Sequence, residues 1–176
     1  MKRIHKIRPL ILIIVGLAIC ALAYEKFGPL ENWVVVKRFD LEFPKNQSQA
    51  WNFLWDNFAH RPELEKFEPK HDSDWENKFH RFEQRLVLKA QLKLLDSSNL
   101  QNCLAKVFKD AKTVNTNLVY LPVGAYSTKQ GTNEVWIIIV RWEIFGLVED
   151  GQALGHIRMF AFDAKTHKVI GFSTCD

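Results

Sequence analysis

The sequence predicts an α+β domain that consists of an N-terminal strand, two to three helices and then a four-strand antiparallel meander. Three observations predict this order. Apolar and charged residues alternate before Pro44, apolar residues recur every three or four positions between residues 51 and 111, and alternating strand-like runs with short polar turns fill residues 118–173. Helices followed by a run of strands are typical of α+β domains.

The first strand is predicted over residues 33–43. Phe39, Leu41 and Phe43 fall on one face of its second half, and charged residues fall on the other. This alternation is typical of a half-buried strand, and Pro44 ends it.

A first helix is predicted after Ser48, which can cap its N-terminus. Apolar residues at i, i+3, i+4 and i+7 then form one stripe, namely Trp51, Leu54, Trp55 and Phe58. The stripe is interpreted as core packing rather than a ligand cage. Arg61 and Pro62 end the helix, and residues 62–72 are predicted to be a loop.

Two longer helices are predicted next. The second covers residues 74–95, with Ser73 as a cap and Glu76 at the capping-box position, but a period-two pattern after Leu86 leaves its last ten residues open. Residues 96–98 break the chain and cap the third helix. Its apolar face is predicted to be Leu100, Cys103, Leu104, Val107 and Ala111.

Four strands complete the domain, over residues 118–126, 135–145, 156–162 and 169–173. Pro122 indicates an edge strand or a bulge in the first of them. The centre of the second is apolar on both faces, as expected for a central, well-covered strand. This order is similar to the layout of cystatin-like and NTF2-like folds, in which a curved antiparallel sheet packs on its helices; such a layout implies no particular activity.

The charge of the chain points to targeting rather than to nucleic acid. The composition is globular, with 47% hydrophobic and 25% charged residues, and the formal net charge is +4. Lys2, Arg3, Lys6 and Arg8 account for this excess, because residues 24–176 hold 20 basic and 20 acidic residues. No nucleic-acid partner is therefore expected.

Residues 1–23 are predicted to be a signal peptide or a signal-anchor. The apolar run Leu10–Ala23 follows the basic residues and ends in Ala21-Leu22-Ala23, a site that signal peptidase accepts. As a helix the run spans about 21 Å, less than a hydrocarbon core of roughly 30 Å, which favours cleavage. Without cleavage, residues 10–24 would anchor the protein in a membrane with its N-terminus in the cytoplasm.

Residues 24–32 are interpreted as a junction, and residues 33–176 as a single periplasmic or secreted domain. A disulfide is permitted in that environment. A bond between Cys103 and Cys175 would close a loop of roughly 70 residues, worth about 4 kcal/mol in the chain-entropy model. The alternative is that Cys103 packs as a small hydrophobic residue and Cys175 stays a free thiol.

No motif indicates catalysis, so no catalytic residue, cofactor or metal is expected. The glycines form neither a dinucleotide-binding loop nor a phosphate loop, and neither a Gly-x-Ser-x-Gly nor a Cys-x-x-Cys motif occurs. The polar residues 71–76, followed by His80, match no standard metal signature. They are interpreted as a solvated loop before a helix whose acidic first turn suits its dipole.

The candidate ligand-binding residues are Trp136, Trp142, His156 and Arg158. The two tryptophans share a strand face and could line a concave apolar pocket. His156 and Arg158 lie on the next predicted strand, where Glu143 could make His156 a general acid or base. The glycine before His156 favours an exposed role instead.

The leading functional hypothesis is an exported or membrane-anchored binding or accessory domain without catalytic activity, with an envelope or membrane protein as its partner. The first alternative is a small enzyme whose site lies in the concave face of the sheet, formed by His156, Glu143, Asp163 or Arg158. The second is a single-span structural subunit of a membrane complex. The mass of the mature N-terminus separates this last alternative from a secreted protein.

Overall fold

The computed structural model describes residues 34–65, 67–114 and 117–174. The chain is α+β, as predicted, and within these residues it forms five strands and four helices. In chain order they are β1 (Val35–Glu42), α1 (Gln47–Phe58), α2 (Pro62–Glu65), α3 (Trp75–Leu92), α4 (Ser97–Val114), β2 (Leu118–Gln130), β3 (Asn133–Ile144), β4 (His156–Asp163) and β5 (Val169–Thr174).

The five strands form one mixed sheet in the order β1-β2-β3-β4-β5. Strands β2 to β5 are the predicted antiparallel meander. The prediction of a wholly antiparallel sheet is wrong for β1, which pairs with β2 in parallel. Parallel neighbours need a long crossover, usually helical, and the four helices between β1 and β2 supply it.

The helical region differs from the prediction in two places. The expected two to three helices are four, because the one-turn helix α2 lies at the start of the predicted loop. The second predicted helix ends at Leu92 rather than at residue 95. Leu94 has a φ of 56°, a left-handed conformation that cannot continue an α-helix.

Pro122 lies at a bulge, which is one of the two predicted outcomes. Pro122 pairs with Val140 and Gly124 pairs with Ile139, so that Val123 is an extra residue in β2. The alternative prediction, that Pro122 lies in an edge strand, is wrong, because β2 lies between β1 and β3. A bulge suits proline, which has no backbone N–H to donate to the neighbouring strand.

The helix caps were predicted correctly in one case out of three. Asn46, rather than Ser48, caps α1, and its Oδ1 accepts a hydrogen bond of 2.9 Å from the backbone N–H of Ser48. Asp74 precedes α3 in the position predicted for Ser73, without a side-chain cap bond. Asp96 caps α4 as predicted, since its Oδ1 accepts from the backbone N–H of Asn99 at 3.1 Å.

Both faces of the sheet are covered at its centre. The tryptophan face carries Trp136 and Trp142, and α4 packs there, with Asp110 bonded to Tyr120 of β2. α3 packs alongside α4, where the rings of Phe79 and Phe108 are 5.0 Å apart. Residues 135–140 of β3 are all fully buried, which confirms the prediction of a central, well-covered strand.

The opposite, glycine face carries Gly124 and Gly171, and the first two helices pack there. A Cβ added to Gly171 would lie 3.1 Å from the Cβ of Ala50 in α1. A Cβ added to Gly124 would lie 3.2 Å from Leu64 in α2. The glycines therefore allow both helices to approach the strands closely.

Replacing Gly171 with alanine is expected to lower the free energy of unfolding by about 1–3 kcal/mol, the usual cost of overpacking a core. The new Cβ would lie 2.8 Å from Cζ of Phe43, a buried ring that would have to shift. Urea denaturation measures the change. Gly155→Ala is the control, because its Cβ would meet only Glu143 Oε2, at 3.8 Å. Equal stability of the two variants would contradict the close approach of α1.

No helix among the described residues is long and apolar enough to cross a membrane. The predicted signal or anchor segment, residues 1–23, and the junction, residues 24–32, lie outside the described residues. Those predictions stay predictions.

Candidate functional site

The structure brings Trp142, His156 and Arg158 together on the tryptophan face. Trp142 of β3 pairs with His156 of β4, and Arg158 lies two residues further along β4 on the same side. Trp136 is not part of this group. It lies at the other end of β3, opposite Phe162, and is fully buried.

Three aromatic rings surround the guanidinium group of Arg158. Its central carbon lies 4.4 Å from the ring centre of Trp142, 5.3 Å from that of Tyr120 and 5.5 Å from that of Phe172. Distances below about 6 Å permit cation–π attraction, which is strongest when the cation is partly desolvated. We call Trp142, His156, Arg158, Tyr120 and Phe172 the Arg158 cluster.

Hydrogen bonds fix the orientation of Arg158 within these rings. Its Nη1 donates to the Tyr120 hydroxyl and its Nε to Oγ1 of Thr174, the latter at 3.4 Å. The Tyr120 hydroxyl in turn donates to Oδ2 of Asp110, at 3.2 Å. The arginine on β4 is thus connected through a buried phenol to a carboxylate on α4.

Burial raises the pKa of Tyr120 to about 12, against an ordinary value of 10.0. Loss of solvation is the largest cause, because it disfavours the charged phenolate. The positive charge of Arg158 lowers the pKa of Tyr120, and the carboxylate of Asp110 raises it. Tyr120 is therefore a neutral donor and acceptor near pH 7. It is unsuited to act as a base or a nucleophile.

His156 lies at the solvent side of the Arg158 cluster. Its ring centre is 5.0 Å from that of Trp142, and its Nε2 is 3.5 Å from Oε2 of Glu143. The His156 side chain is 36% exposed and that of Glu143 is 15% exposed. A distance of 3.5 Å is an ion-pair contact rather than a strong hydrogen bond.

Sequence reasoning missed Tyr120, Asp110, Phe172 and Thr174. They come from β2, α4 and β5, and no motif connects them in sequence. Phe172 alone had a usable signal in the sequence, since it alternates with Gly171 and Ser173 in a predicted strand. In the structure its side chain is 42% exposed. Tyr120 and Asp110 become recognisable only when the register of β2 and β3 is known.

Asp163 and His71 make local contacts away from the Arg158 cluster. Oδ1 of Asp163 accepts from the backbone N–H and the hydroxyl of Thr166, at 2.7 and 2.8 Å, which is the hydrogen bonding of an Asx-type turn. His71 is buried, with Nδ1 2.9 Å from Oδ1 of Asp150. Within the described ranges, no group of three or more His, Cys, Asp or Glu side chains could hold a metal ion.

Cys103 is buried on α4. Burial, together with the nearby carboxylates of Asp163 and Asp96, raises the pKa of its thiol to about 12, so the thiol is protonated and unreactive at neutral pH. Cys175 lies outside the described residues. A disulfide between the two stays a prediction.

Two further clefts occur on the surface of the described residues, and the second of them borders the Arg158 cluster at Phe172. One, of about 620 Å³, runs between β1 and the β2–β3 hairpin, where Phe39, Asp40 and Leu41 have no paired residue in β2. Its walls carry both acidic and basic side chains. The other, of about 280 Å³, lies between Gln47 and residues 169–172 of β5.

Comparison of the chain with protein-family profiles, with curated proteins and with solved structures finds no match in any of the three. The assignment of a function therefore depends on the site geometry.

Proposed function

We propose that this chain is an exported or membrane-anchored binding domain without catalytic activity of its own, and that the Arg158 cluster is its ligand surface. The ligand carries a carboxylate on a flat apolar body. We also propose a cystatin-like or NTF2-like layout, in which one end of one face of the sheet is open to a ligand. The basic and apolar segment 1–23 supports the export or anchoring.

The proposal rests on one observation: the guanidinium of Arg158 is held in a fixed position, and not all of its N–H donors are engaged by described residues. Among the described residues, two of its five N–H groups have acceptors. The remaining donors can take a carboxylate in the two-point geometry that guanidinium favours. The exposed ring of Phe172 and the imidazole of His156 lie beside it, as contacts for an apolar body.

The surrounding chemistry favours binding over catalysis. The hydroxyl next to Arg158 belongs to Tyr120, and burial raises the pKa of this phenol, so it stays protonated near neutral pH. Preorganised aromatic and arginine side chains are the groups that most often dominate binding energy.

An enzymatic alternative draws support from the ion pair of His156 and Glu143, which could exchange a proton with a substrate. Asp163, expected to join them, lies at the opposite end of β4 and is bonded to Thr166. The other alternative, a single-span membrane subunit, requires that residues 10–24 remain on the mature protein. Mass spectrometry of the mature N-terminus tests it, because a start at Tyr24 would exclude the anchor.

The ligand surface is tested by isothermal titration of the full chain with benzoate, as a carboxylate on a flat apolar ring. Arg158→Gln is expected to weaken benzoate binding at least about 10-fold, the loss of one charge-assisted two-point contact. Arg158→Lys keeps the charge but not the two-point geometry, and an intermediate loss is expected. Melting temperatures of both variants separate lost binding from lost folding.

Arg81→Gln is the matched control, since Arg81 is an exposed arginine on α3 away from the cluster. It should bind benzoate as the wild type does. Equal affinity of the wild type and Arg158→Gln would show that Arg158 does not hold the carboxylate, and an equal loss in Arg81→Gln would show that positive charge in general holds it.

A further inference from the structure

The apolar stripe of α1 divides into a buried and an exposed part. Leu54 and Phe58 are fully buried, whereas Trp51 is 46% exposed and Trp55 is half-buried. The prediction that all four residues belong to the core is therefore wrong for Trp51. A large indole on the surface of a helix requires another explanation.

The exposed indole is held in a fixed orientation. The rings of Trp51 and Trp55 are stacked, with centres 5.7 Å apart and planes within 5° of parallel. The ring of His60 meets Trp55 edge-on, at 5.7 Å and 83°. Because His60 supports Trp55 in this way, Trp55 has little rotational freedom and restricts the rotation of the Trp51 side chain. A ligand that stacks on Trp51 would lose little side-chain entropy on binding.

Besides the ring of His60, the helix residues beside the stacked pair include Asn52 and Asp56, which are exposed and polar. Asn52 lies three positions before Trp55 and four before Asp56, which are neighbouring positions on a helix surface. The side chains of Asn52 and Asp56 make no hydrogen bond to other described residues. α1 contains neither lysine nor arginine. We call Trp51, Trp55, Asn52 and Asp56 the Trp51 platform.

This chemistry selects among the ligands that stack on tryptophan. Single-stranded nucleic acids and anionic membranes need cationic side chains beside the aromatic rings, and α1, which carries both tryptophans, has no lysine or arginine. A flat apolar ring face beside an amide and a carboxylate instead matches a neutral sugar. The C–H groups on one side of a pyranose ring carry partial positive charge and attract the negative face of indole, while amide and carboxylate groups bond the hydroxyls.

We propose that the Trp51 platform binds a neutral saccharide, with one sugar ring stacked on Trp51 and its hydroxyls bonded to Asn52 and Asp56. The platform lies on α1, which packs on the glycine face, whereas the Arg158 cluster lies on the tryptophan face. The two groups of residues thus lie on different faces of the sheet, and the sugar site does not rest on the function proposed above.

The test is affinity electrophoresis and fluorescence titration of the full chain with two neutral probes, cellohexaose and hexa-N-acetylchitohexaose, and with choline and dextran sulfate as charged comparison ligands. We expect at least one of them to bind and to change the tryptophan emission. Trp51→Ala should weaken that binding at least about 10-fold, and Trp51→Phe, which keeps an aromatic face, should weaken it less. Asn52→Ala should cause a smaller loss, of about 3-fold to 10-fold, from a missing hydrogen bond.

Phe145→Ala is the matched control, because Phe145 is 48% exposed and directly follows β3, outside α1. It should bind the probe like the wild type, and all variants should melt within a few degrees of it. The proposal is overturned if neither glycan binds, if Trp51→Ala binds as well as the wild type does, or if only choline or only dextran sulfate binds. Choline alone would indicate a cation site, and dextran sulfate alone a polyanion site.

Discussion

Replacing Phe58 with alanine is expected to lower the free energy of unfolding by about 3–5 kcal/mol, the range for large aromatic side chains removed from a core. Phe58 is fully buried at the end of α1. Its ring centre is 4.8 Å from the rings of both Phe39 in β1 and Tyr126 in β2. It thus connects the first helix to two strands that are distant in sequence, and the cavity left behind cannot close easily.

Urea denaturation followed by far-ultraviolet circular dichroism measures this loss. Phe145→Ala, in which a phenylalanine exposed by 48% is truncated in the same way, should cost less than about 1 kcal/mol. A similar cost for both variants would mean that α1 is not joined to the sheet through Phe58.

The second large effect concerns alkaline pH. The folded protein holds the Tyr120 proton up to a pKa of about 12, whereas the unfolded chain releases it near the ordinary value of 10.0. The contribution of Tyr120 to stability is therefore complete below pH 10 and is lost as the pH rises from 10 to about 12. A difference of that size corresponds to about 2–3 kcal/mol.

Replacing Tyr120 with phenylalanine should remove this part of the pH dependence. The variant is expected to be less stable than the wild type at pH 8, because Asp110 and Arg158 each lose a hydrogen-bond partner. Between pH 10 and 12, however, the stability gap should narrow. Lysines titrate equally in both proteins and cancel in the difference, so a constant gap across this range would contradict the raised pKa of the buried phenol.

Local patterns predicted most of the elements, because they depend on neighbours in sequence. The helical spacing of Leu100, Leu104 and Val107 is set by the 3.6-residue period, and all three are buried in α4. The alternation and turns after residue 118 predicted the meander β2 to β5 for a similar reason, since antiparallel neighbours are joined by short turns. The parallel pairing of β1 has no such local signal, because the residues between β1 and β2 do not specify the direction of approach.

Some residues of the candidate site were also predictable from the sequence, and others were not. Trp142, His156 and Arg158 were found from alternation along two strands. Tyr120 was not, and its position depends on the bulge at Val123. The tight turn at the tip of the hairpin pairs Gln130 with Asn133, and continuing that register without a bulge would pair Tyr120 with Glu143. The extra residue shifts the register by one, so that Tyr120 pairs with Trp142 instead and shares a face with Arg158.

The sequence by itself determined the α+β class, the meander, the central position of β3 and the location of Trp142 and Arg158 on neighbouring strands, because periodicity and short turns act over a few residues. Only the tertiary structure decided that β1 runs parallel to β2, that Tyr120 and Asp110 complete the surroundings of Arg158, and that Trp51 stays on the surface while Phe58 is buried. Those outcomes depend on which distant segments share the limited space on each face of the sheet. Two residues of one apolar stripe can therefore have the same local pattern and opposite burial.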